Sequence, residues 1–348
     1  MDTDIVSPQH SRKATVGIAG IGYYLPESTV TSRDMAQWTG IDESVFTDKI
    51  GVERKHVAGP DEHPAEMGIK AARLAIKNAG ISADEIDIIV FGGLGFYDYN
   101  FWSPAAKIQD GIGAHRAFTF EIRNGCNGGN LGLNICKELL LGDKNKKYAL
   151  VVCSDKLSLA VNYSDRKAVS AFAFADGAVA AVLKKDHPDN QLLAYASISD
   201  GSLVDYVKVP CGGTKIPLGE SSSKREDCFL RVTDPEALDG IFSRTYLKNY
   251  LAVIHDALKN SGYSERDISH LFTNQVKKSI TDNLLKGLGL EEARTMRTMK
   301  EYGHMGPVDT LFCLALAKEE GRIKPGDLVV LAGSAIGFSW SAMVVKFR

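Results

Sequence analysis

Short apolar runs alternate along the chain with longer segments whose apolar residues recur at helical spacing. The runs predict strands and the periodic segments predict helices. The predicted strands are Val16–Ile21, Ile86–Gly92, Phe118–Ile122, Tyr148–Ser154, Ala178–Leu183, Leu192–Ile198, Leu271–Asn274, Leu328–Ala332 and Ala342–Phe347. The predicted helices are Ala65–Ala79, Pro104–Ile112, Leu131–Leu141, Tyr246–Ser261, Lys277–Leu288 and Val308–Gly321. This alternation is typical of an α/β protein whose helices cover buried sheets.

The pattern repeats weakly at an offset of about 180 residues, which indicates a duplicated architecture. Gly80-Ile-Ser-Ala-Asp-Glu-Ile86 returns as Gly262-Tyr-Ser-Glu-Arg-Asp-Ile268, in each case just before an apolar strand. Leu150-Val-Val152 returns as Leu328-Val-Val330, in each case after a helix that ends in glycine. Chance similarity between two α/β segments is the alternative.

Two related halves, residues 1–185 and 186–348, follow from this repeat. At this offset, the helix start at Cys126 corresponds to a second helix start near His304 and Asp309. If the halves pack about a pseudo-twofold axis, both helix starts will point at one centre. We therefore expect Cys126 to come from one half and its partners from the other.

Composition limits the class of protein. Of the 348 residues, 44% are hydrophobic and 24% are charged, and the formal charge is −2. These values exclude a polybasic nucleic-acid binder and predict a soluble globular protein. The N-terminus lacks the basic start and apolar centre of a signal peptide, and no apolar run approaches the roughly 18 residues of a membrane span. We therefore expect a cytoplasmic protein without a nucleic-acid or membrane partner.

The cysteines are scattered and form no Cys-x-x-Cys pair, which predicts reduced thiols and no structural metal site. They are Cys126, Cys136, Cys153, Cys211, Cys228 and Cys313. Three of the histidines, at positions 56, 63 and 115, have no ligand spacing to one another. No metal is expected.

Cys126 is the candidate nucleophile. It lies in Arg-Asn-Gly-Cys-Asn-Gly-Gly-Asn, between a predicted strand and a predicted helix. A helix N-terminus presents unpaired N–H groups and a positive dipole end, and both favour thiolate over thiol. Gly125, Gly128 and Gly129 permit a sharp turn and a close approach of substrate, at a cost of about 1 kcal/mol each in helix propensity. A cysteine buried only for packing is the alternative.

His304 and Asp309 are the candidate partners of that thiol. They lie in Tyr302-Gly-His-Met-Gly-Pro-Val-Asp309, which runs into a predicted helix with Pro307 suited to its first turn. A base beside the thiol, oriented by a carboxylate, is the general arrangement of an activated nucleophile. A surface histidine and an aspartate that only complements the helix dipole are the alternatives.

Several segments resemble, in order and spacing, the type III ketosynthases of the thiolase superfamily, the β-ketoacyl-carrier-protein synthase III group. These segments are Thr39-Gly-Ile41, Lys49-Ile-Gly-Val-Glu-Arg54, the turn at Cys126, Tyr148–Asp155, Phe174–Ala178, Gly321–Asp327 and Gly337–Trp340. The resemblance implies a duplicated five-layered αβαβα fold, a homodimer, and a cysteine acylated from a coenzyme A or acyl-carrier-protein thioester. It implies no tightly bound cofactor.

Two positions depart from the ketosynthase pattern. Asn274 stands where the family has the histidine of a His-Gln-Ala-Asn motif, and His304 stands where the family has the asparagine of a Gly-Asn pair. Ketosynthases use that His and Asn as hydrogen-bond donors to a malonyl thioester carbonyl. A histidine held by Asp309 is instead biased toward accepting a proton. This Cys-His-Asp pattern is similar to a branch of ketosynthase-like enzymes that transfer acyl groups in specialised metabolism.

We therefore predict an acyltransferase that loads an acyl group on Cys126 and passes it to a hydroxyl, amine or other acceptor. His304 is the predicted base, Asp309 orients it, and Asn274 donates a hydrogen bond near the thioester. The resemblance places the oxyanion between the backbone N–H groups of Cys126 and Ile336, although the family has glycine at the second position. A decarboxylating condensing enzyme and a non-catalytic partner subunit are the open alternatives.

The identity of the acyl donor rests on the same resemblance. The tryptophan and arginine of the family's coenzyme A clamp align with Val45 and Lys49, so the stacking aromatic is missing and a carrier-protein donor is favoured. Lys49, Lys277 and Lys278 are candidate phosphate contacts, and ordinary solvated lysines are the alternative. The polar stretch 212–227 is predicted to be a mobile surface loop, placed to border the acyl entrance.

Overall fold

The computed structural model describes residues 14–219 and 225–348. The strands are β1 Val16–Tyr24, β2 Thr29–Thr31, β3 Arg54–His56, β4 Ile88–Gly92, β5 Phe118–Ile122, β6 Tyr148–Lys156, β7 Asp176–Lys185, β8 Gln191–Ser199, β9 Val207–Lys208, β10 Arg231–Val232, β11 His270–Thr273, β12 Leu328–Ala335 and β13 Ser339–Lys346. The helices are α1 Ser32–Thr39, α2 Pro64–Ala79, α3 Pro104–Ile112, α4 Gly128–Gly142, α5 Pro235–Ser261, α6 Lys278–Leu288, α7 Met299–Tyr302 and α8 Asp309–Glu319. No helix in these ranges is long and apolar enough to cross a membrane.

The main sheet runs in the order β11-β12-β13-β8-β1-β7-β6-β4-β5. Strands β8 and β1 share a single pair, Gly17 with Gln191, so the sheet divides there into a half built from β1, β4, β5, β6 and β7 and a half built from β8, β11, β12 and β13. The chain passes from one half to the other between β7 and β8, next to the predicted boundary at 185/186. Separate folding of the two halves stays a prediction.

Helices separate and cover the two half-sheets. Helices α2 and α3 pack on the strands of the first half, α5 packs on β8, β12 and β13 of the second half with α6 beside it, and α4 and α8 contact strands of both halves. The order is therefore helix, sheet, helix, sheet, helix, which confirms the predicted duplicated five-layered αβαβα fold. Every residue of β6 and β12 is buried because helices cover both faces of these strands.

The repeat seen in the sequence has a structural counterpart at the centre of the molecule. A short 3₁₀ turn, Gly125–Asn127, leads directly into α4, and a second one, Gly306–Val308, leads directly into α8. Outside the centre, Ser82 with Glu85 and Ser264 with Asp267 form matching capping boxes before β4 and β11. The duplication therefore brings two helix starts of the same construction into the middle layer.

Helices α5 and α1 depart from the sequence prediction, α5 by its earlier start and α1 by its presence. Helix α5 begins at Pro235 rather than Tyr246, because Asp234 accepts a hydrogen bond from Ala237 N at 3.0 Å and caps the helix. Its first turns bury few apolar side chains, so the apolar pattern starts late. Helix α1 was not predicted, although Thr31 and Asp34 form a capping box before it. In both cases the start of the helix was indicated by a capping residue and not by hydrophobic periodicity.

The predicted polar loop 212–227 is only partly described. Residues 220–224 lie outside the described residues. On either side, the chain forms a turn through residues 211–219 and a short 3₁₀ turn at Arg225–Cys228. Most side chains of these flanks are exposed or half-buried, as the polar composition predicts.

Candidate active site

Cys126 lies in the turn that connects β5 to α4. Gly125, just before it, has φ +52°, a left-handed conformation that side chains with a Cβ rarely adopt. A Cβ on Gly125 would also lie 3.0 Å from Ala335 Cβ, so glycine is required here by conformation and by space. The turn holds Cys126 buried, at 6% exposure, two residues before the first residue of α4. The thiol is thus placed at a helix N-terminus, as predicted.

The glycines after Cys126 serve a different purpose from the one predicted. Gly128 has φ −52°, which any residue adopts. A Cβ on Gly128 would lie 3.2 Å from Pro307 Cβ, and a Cβ on Gly129 would lie 2.8 Å from Pro307 O. These positions therefore let the start of α4 approach the turn that precedes α8. The contact is between the two halves of the protein, not between backbone and substrate.

His304 faces Cys126 across the junction of the two halves. Its Nε2 lies 3.5 Å from Cys126 Sγ, and its Nδ1 lies 2.5 Å from Asp309 Oδ2. All three side chains are buried, with exposures of 6% for the cysteine, 3% for the histidine and 0% for the aspartate. An ionised carboxylate only accepts hydrogen bonds, so Nδ1–H donates to Asp309 and leaves Nε2 as the acceptor toward the thiol. The predicted Cys126, His304 and Asp309 thus contact one another in that order.

Asp309 is held in place by backbone donors. Its Oδ2 also accepts a hydrogen bond from Gln275 N at 2.7 Å, and its Oδ1 accepts one from Met305 N at 2.9 Å. Asp309 is the first residue of α8, where the positive end of the helix dipole favours a negative charge. These groups compensate the burial of the carboxylate and fix its orientation toward the imidazole.

The backbone of His304 is fixed by a neighbouring loop. His304 N donates to Ala173 O at 2.8 Å, and Ala175 N donates to His304 O at 2.9 Å. The ring of Phe174, between these two residues, packs against the imidazole with 5.5 Å between ring centroids. Gly303 permits this approach, since a Cβ there would lie 2.7 Å from Ala173 O. The imidazole is therefore located by backbone pairing as well as by Asp309.

The pKa of His304 reflects competing influences. Burial disfavours the imidazolium, but the charge of Asp309, the nearby Cys126 sulfur and the hydrogen bonds to both raise the pKa of His304 to about 10. The imidazole in this site is thus strongly disposed to take and hold a proton. The Cys126 thiol, 3.5 Å from Nε2, is the proton donor that faces it.

Ile336 lies beside the cysteine turn. It follows the end of β12, and its backbone N would be 3.6 Å from a Cβ on Gly125. On the other side of the turn, Asn127 Nδ2 donates to Ser339 O at 3.1 Å, and Ser339 Oγ donates to Asn124 Oδ1 at 3.1 Å. The turn that carries Cys126 is therefore tied to the β12–β13 connection. The structure brings together the two backbone segments predicted to form the oxyanion site.

Comparisons with known proteins agree with this construction. Family profiles for 3-oxoacyl-[acyl-carrier-protein (ACP)] synthase III match residues 120–201, and for the C terminal region of that enzyme residues 258–347. The chain is 28% identical over 338 residues to beta-ketoacyl-[acyl-carrier-protein] synthase III of Chlamydia pneumoniae, covering 97% of this chain and 98% of that protein. The chain belongs to the β-ketoacyl-[acyl-carrier-protein] synthase III family.

Solved structures of similar proteins share the fold. The 3-oxoacyl-[acyl-carrier-protein] synthase III from Aquifex aeolicus superposes with a TM-score of 0.84 at 23% identity, over 95% of this chain and 100% of that one. A priming β-ketosynthase from a polyketide biosynthetic pathway superposes with a TM-score of 0.84 at 21% identity, over 96% of this chain and 97% of that one. The thiolase-like architecture of the synthase III family is thus retained at low sequence identity.

The side chain of Asn274, the predicted donor near the thioester, is hydrogen-bonded to the scaffold. Its Oδ1 accepts hydrogen bonds from Ser334 N at 3.0 Å and from the Tyr250 hydroxyl at 2.8 Å. Its Nδ2 donates to Ser334 O at 2.8 Å. Tyr246 completes this buried group through a hydrogen bond between its hydroxyl and Ser334 Oγ. The amide of Asn274 thus holds the end of β12 in place, next to Ile336.

A cavity of about 510 Å³ lies on the far side of Gln275 from Asp309, and Cys126, His304 and Asp309 do not line it. Gln275, whose N–H is bonded to Asp309, is part of its wall, together with Lys277 and Lys278. Two further cations of the wall are ion-paired, Arg297 with Asp282 and Glu292 and Lys300 with Glu53, whereas Lys277 and Lys278 form no salt bridge with any described residue. Lys49 is exposed in the adjoining turn Val45–Ile50 but does not line the cavity.

Some residues of the site were not predicted from the sequence. Tyr246 and Tyr250 reach it from α5, and Phe174 packs on the imidazole. The two tyrosines are four residues apart on one face of a helix, a spacing that resembles ordinary core packing. Their polar contacts are with a strand from another part of the chain. No local pattern could have assigned them to the site.

Proposed function

We propose that this protein is a thioester-dependent acyltransferase that forms an acyl-Cys126 intermediate and transfers the acyl group to a hydroxyl or amine acceptor. The observation that carries this proposal is the 3.5 Å contact between Cys126 Sγ and His304 Nε2, with Nδ1 bonded to the buried Asp309. A base held by a carboxylate serves proton abstraction better than hydrogen-bond donation to a carbonyl.

In the first half-reaction, His304 holds the proton of Cys126 and the sulfur attacks the carbonyl carbon of the donor thioester. The backbone N–H groups of Cys126 and Ile336 stabilise the oxyanion of the tetrahedral intermediate. When this intermediate collapses, the leaving thiolate takes the proton from His304. The products are acyl-Cys126 and a free pantetheine thiol, so atoms and charge balance.

In the second half-reaction, the thiolate is no longer present and His304 is neutral. It removes a proton from the acceptor hydroxyl or amine, which attacks the acyl carbonyl. Collapse of the second tetrahedral intermediate expels the Cys126 sulfur, and His304 protonates or pairs with it. Asp309 stabilises the imidazolium in both half-reactions and holds Nδ1–H in place, so that Nε2 always faces the reacting atoms.

Asn274 and the lysines have supporting roles in this proposal. One Nδ2 hydrogen of Asn274 is bonded to Ser334 O, and the other is assigned to the thioester carbonyl. Lys277 and Lys278, the two cations of the cavity wall without a salt bridge to a described residue, are assigned to phosphate oxygens of a phosphopantetheine or coenzyme A donor. Lys49 is assigned to the same donor at the surface. The proposed assembly is a cytoplasmic homodimer that receives its acyl group from a carrier protein or coenzyme A.

Decarboxylative condensation is the second candidate. It is favoured by the names of the relatives, which are β-ketoacyl synthases and therefore enzymes that form carbon–carbon bonds. In this alternative, His304 and Asn274 would donate hydrogen bonds to the carbonyl of a malonyl thioester and stabilise the enolate left by loss of carbon dioxide. Both candidates begin with the same acyl-Cys126.

Intact-protein mass spectrometry with acetyl-, longer acyl- and malonyl-pantetheine separates the candidates. Transfer predicts a stable acyl adduct, malonyl included, without release of carbon dioxide. Condensation predicts release of carbon dioxide from malonyl-pantetheine by the acylated protein. The Cys126→Ala variant is the control and should form no adduct. Absence of any adduct on the wild-type protein would contradict both candidates and favour a non-catalytic partner subunit.

A further inference from the structure

A second pair of chemically relevant side chains lies outside the candidate active site, at the base of the partly described loop. Cys211 follows the short strand β9, and Cys228 precedes the short strand β10. Both are free thiols. Cys211 is 9% exposed and Cys228 is half-buried, so the pair lies close to solvent without being fully open to it.

The pairing of β9 with β10 explains why the two thiols meet. The strands are antiparallel, with Val207 opposite Val232 and Lys208 opposite Arg231. Beyond these pairs the register shifts by one residue, because Cys211 N donates to Asp227 O at 2.9 Å. This hydrogen bond places Cys211 against the peptide group that joins Asp227 to Cys228.

This geometry suits a disulfide. Disulfides join cysteines whose Cα atoms are roughly 4.4 to 6.8 Å apart. The backbone hydrogen bond from Cys211 to Asp227 holds the neighbouring Cys228 beside Cys211. The Cys228 thiol is also close enough to raise the pKa of Cys211 through a hydrogen bond.

Three other cysteines contrast with this pair. Cys136, Cys153 and Cys313 have no exposed surface. Burial raises the pKa of each of these thiols, to about 12 for Cys313. Because the thiolate is the attacking species and must reach its target, these cysteines are protected from oxidants. The pair at the loop base differs from these three cysteines by its partial exposure to solvent.

We propose that Cys211 and Cys228 form a redox-sensitive thiol pair, which a low-molecular-weight disulfide such as oxidised glutathione converts to an intramolecular disulfide. Cys228, the more exposed sulfur, attacks one sulfur of glutathione disulfide as its thiolate and releases one glutathione thiolate. Cys211 then loses its proton to water, attacks the Cys228 sulfur and releases the second glutathione thiolate. Two protein thiols are oxidised and one glutathione disulfide is reduced to two glutathione molecules.

The bond would act on a segment that shares an apolar cluster with residues near the candidate active site. Val207 of β9 and Leu230, just before β10, belong to the same cluster as Phe174 and Phe338. Phe338 lies two residues after Ile336 and exchanges two backbone hydrogen bonds with Asp200, at 2.8 and 3.0 Å. Asp200 precedes β9 by a few residues. The disulfide would join residues 211 and 228 at the edge of this apolar cluster.

The test uses the full chain carrying Cys126→Ala, so that the nucleophile does not react. After incubation with oxidised glutathione, the intact mass should fall by two hydrogens, and a tryptic digest without reductant should contain one cross-linked species joining the Cys211 and Cys228 peptides. Dithiothreitol should reverse both changes. The thermal midpoint of the oxidised protein should rise above that of the reduced protein.

Single replacements supply matched controls. In Cys211→Ser, the reaction should stop at a glutathione adduct on Cys228, because no resolving thiol is present. In Cys136→Ser, which removes a buried thiol, the cross-link should form as in the parent. The proposal is overturned if the parent protein accumulates a stable glutathione adduct instead of the cross-link, or if the cross-link joins any other pair of cysteines.

Discussion

Replacing Asp309 with Asn preserves the shape of the side chain but removes its charge and one acceptor. The carboxylate accepts three hydrogen bonds, from His304 Nδ1 at 2.5 Å, Gln275 N at 2.7 Å and Met305 N at 2.9 Å. If the amide oxygen takes the place of Oδ2, the NH₂ group faces the Met305 N–H. If the amide is flipped, the NH₂ group faces the Gln275 N–H and the imidazole. Either orientation leaves one buried backbone donor unpaired, a loss of about 1–3 kcal/mol in stability.

The two orientations also set the size of the effect on catalysis. The flipped amide donates to His304 Nδ1, so the proton moves to Nε2 and the imidazole can no longer accept one from Cys126. In catalytic triads this wrong tautomer reduces kcat by about 10⁴. The other orientation keeps the tautomer but removes the charge that raises the pKa of His304. We expect acylation of Cys126 to slow by about 10²–10⁴, equivalent to roughly 3–5 kcal/mol of barrier.

The assay is the rate of acyl adduct formation in single turnover, followed by intact-protein mass spectrometry with an acyl-pantetheine donor. Thr310→Val is the matched control, because Thr310 follows Asp309 on α8 but makes its side-chain hydrogen bond elsewhere. Its Oγ1 donates to Asn130 Oδ1 on α4 at 3.0 Å. The variant should lose stability and keep its acylation rate. If Asp309→Asn acylates within about threefold of wild type, a difference below 1 kcal/mol, the proposed couple of His304 and Asp309 is wrong.

Three further predictions test the electrostatics and the turn. The free energy of unfolding of wild type relative to His304→Gln should be largest below pH 6.5 and should decline as pH rises through about 10, because the pKa of His304 is raised to about 10 in the folded protein. Urea unfolding across this range measures the difference, and a difference that does not change with pH would count against the ion pair of His304 with Asp309. Burial lowers the pKa of Lys55 to about 7, so the stability of wild type relative to Lys55→Met should increase between pH 7 and 10.5 in the same titrations, and a decrease would refute this account. Gly125→Ala should slow acylation by about a hundredfold by displacing the turn that carries Cys126, while Gly142→Ala, at the far end of α4 with open space around it, should acylate normally; equal rates for both would exclude a strained turn.

Local signals in the sequence were sufficient for most of the secondary structure and for the candidate catalytic residues. Apolar runs located the main strands, because strands such as β4, β6 and β12 are buried on both faces and consist largely of apolar residues. Glycines marked the turn at Cys126, since the left-handed conformation of Gly125 is a local requirement. His304 and Asp309 are five residues apart, close enough to meet across one turn, so their contact could be expected from spacing.

Other features depended on contacts between distant segments. Cys126 and His304 are separated by 178 residues, and only the packing of α4 against the turn before α8 brings them to 3.5 Å. Gly128 and Gly129 were interpreted as room for a substrate, but Pro307 occupies that space. Asn274 was expected to face a thioester, and the structure also commits its amide to Ser334 and Tyr250.

The sequence by itself therefore determined the types of elements, the duplication and the chemical groups available for a reaction. These depend on hydrophobic period, glycine conformation and residue identity, all of which are local. The tertiary structure alone decided which atom of each side chain is committed to the scaffold and which faces Cys126. The same holds for the approach of Cys211 to Cys228, which follows from the backbone hydrogen bond between Cys211 and Asp227. Burial and hydrogen-bond partners depend on segments far apart in the chain, and no local pattern contains them.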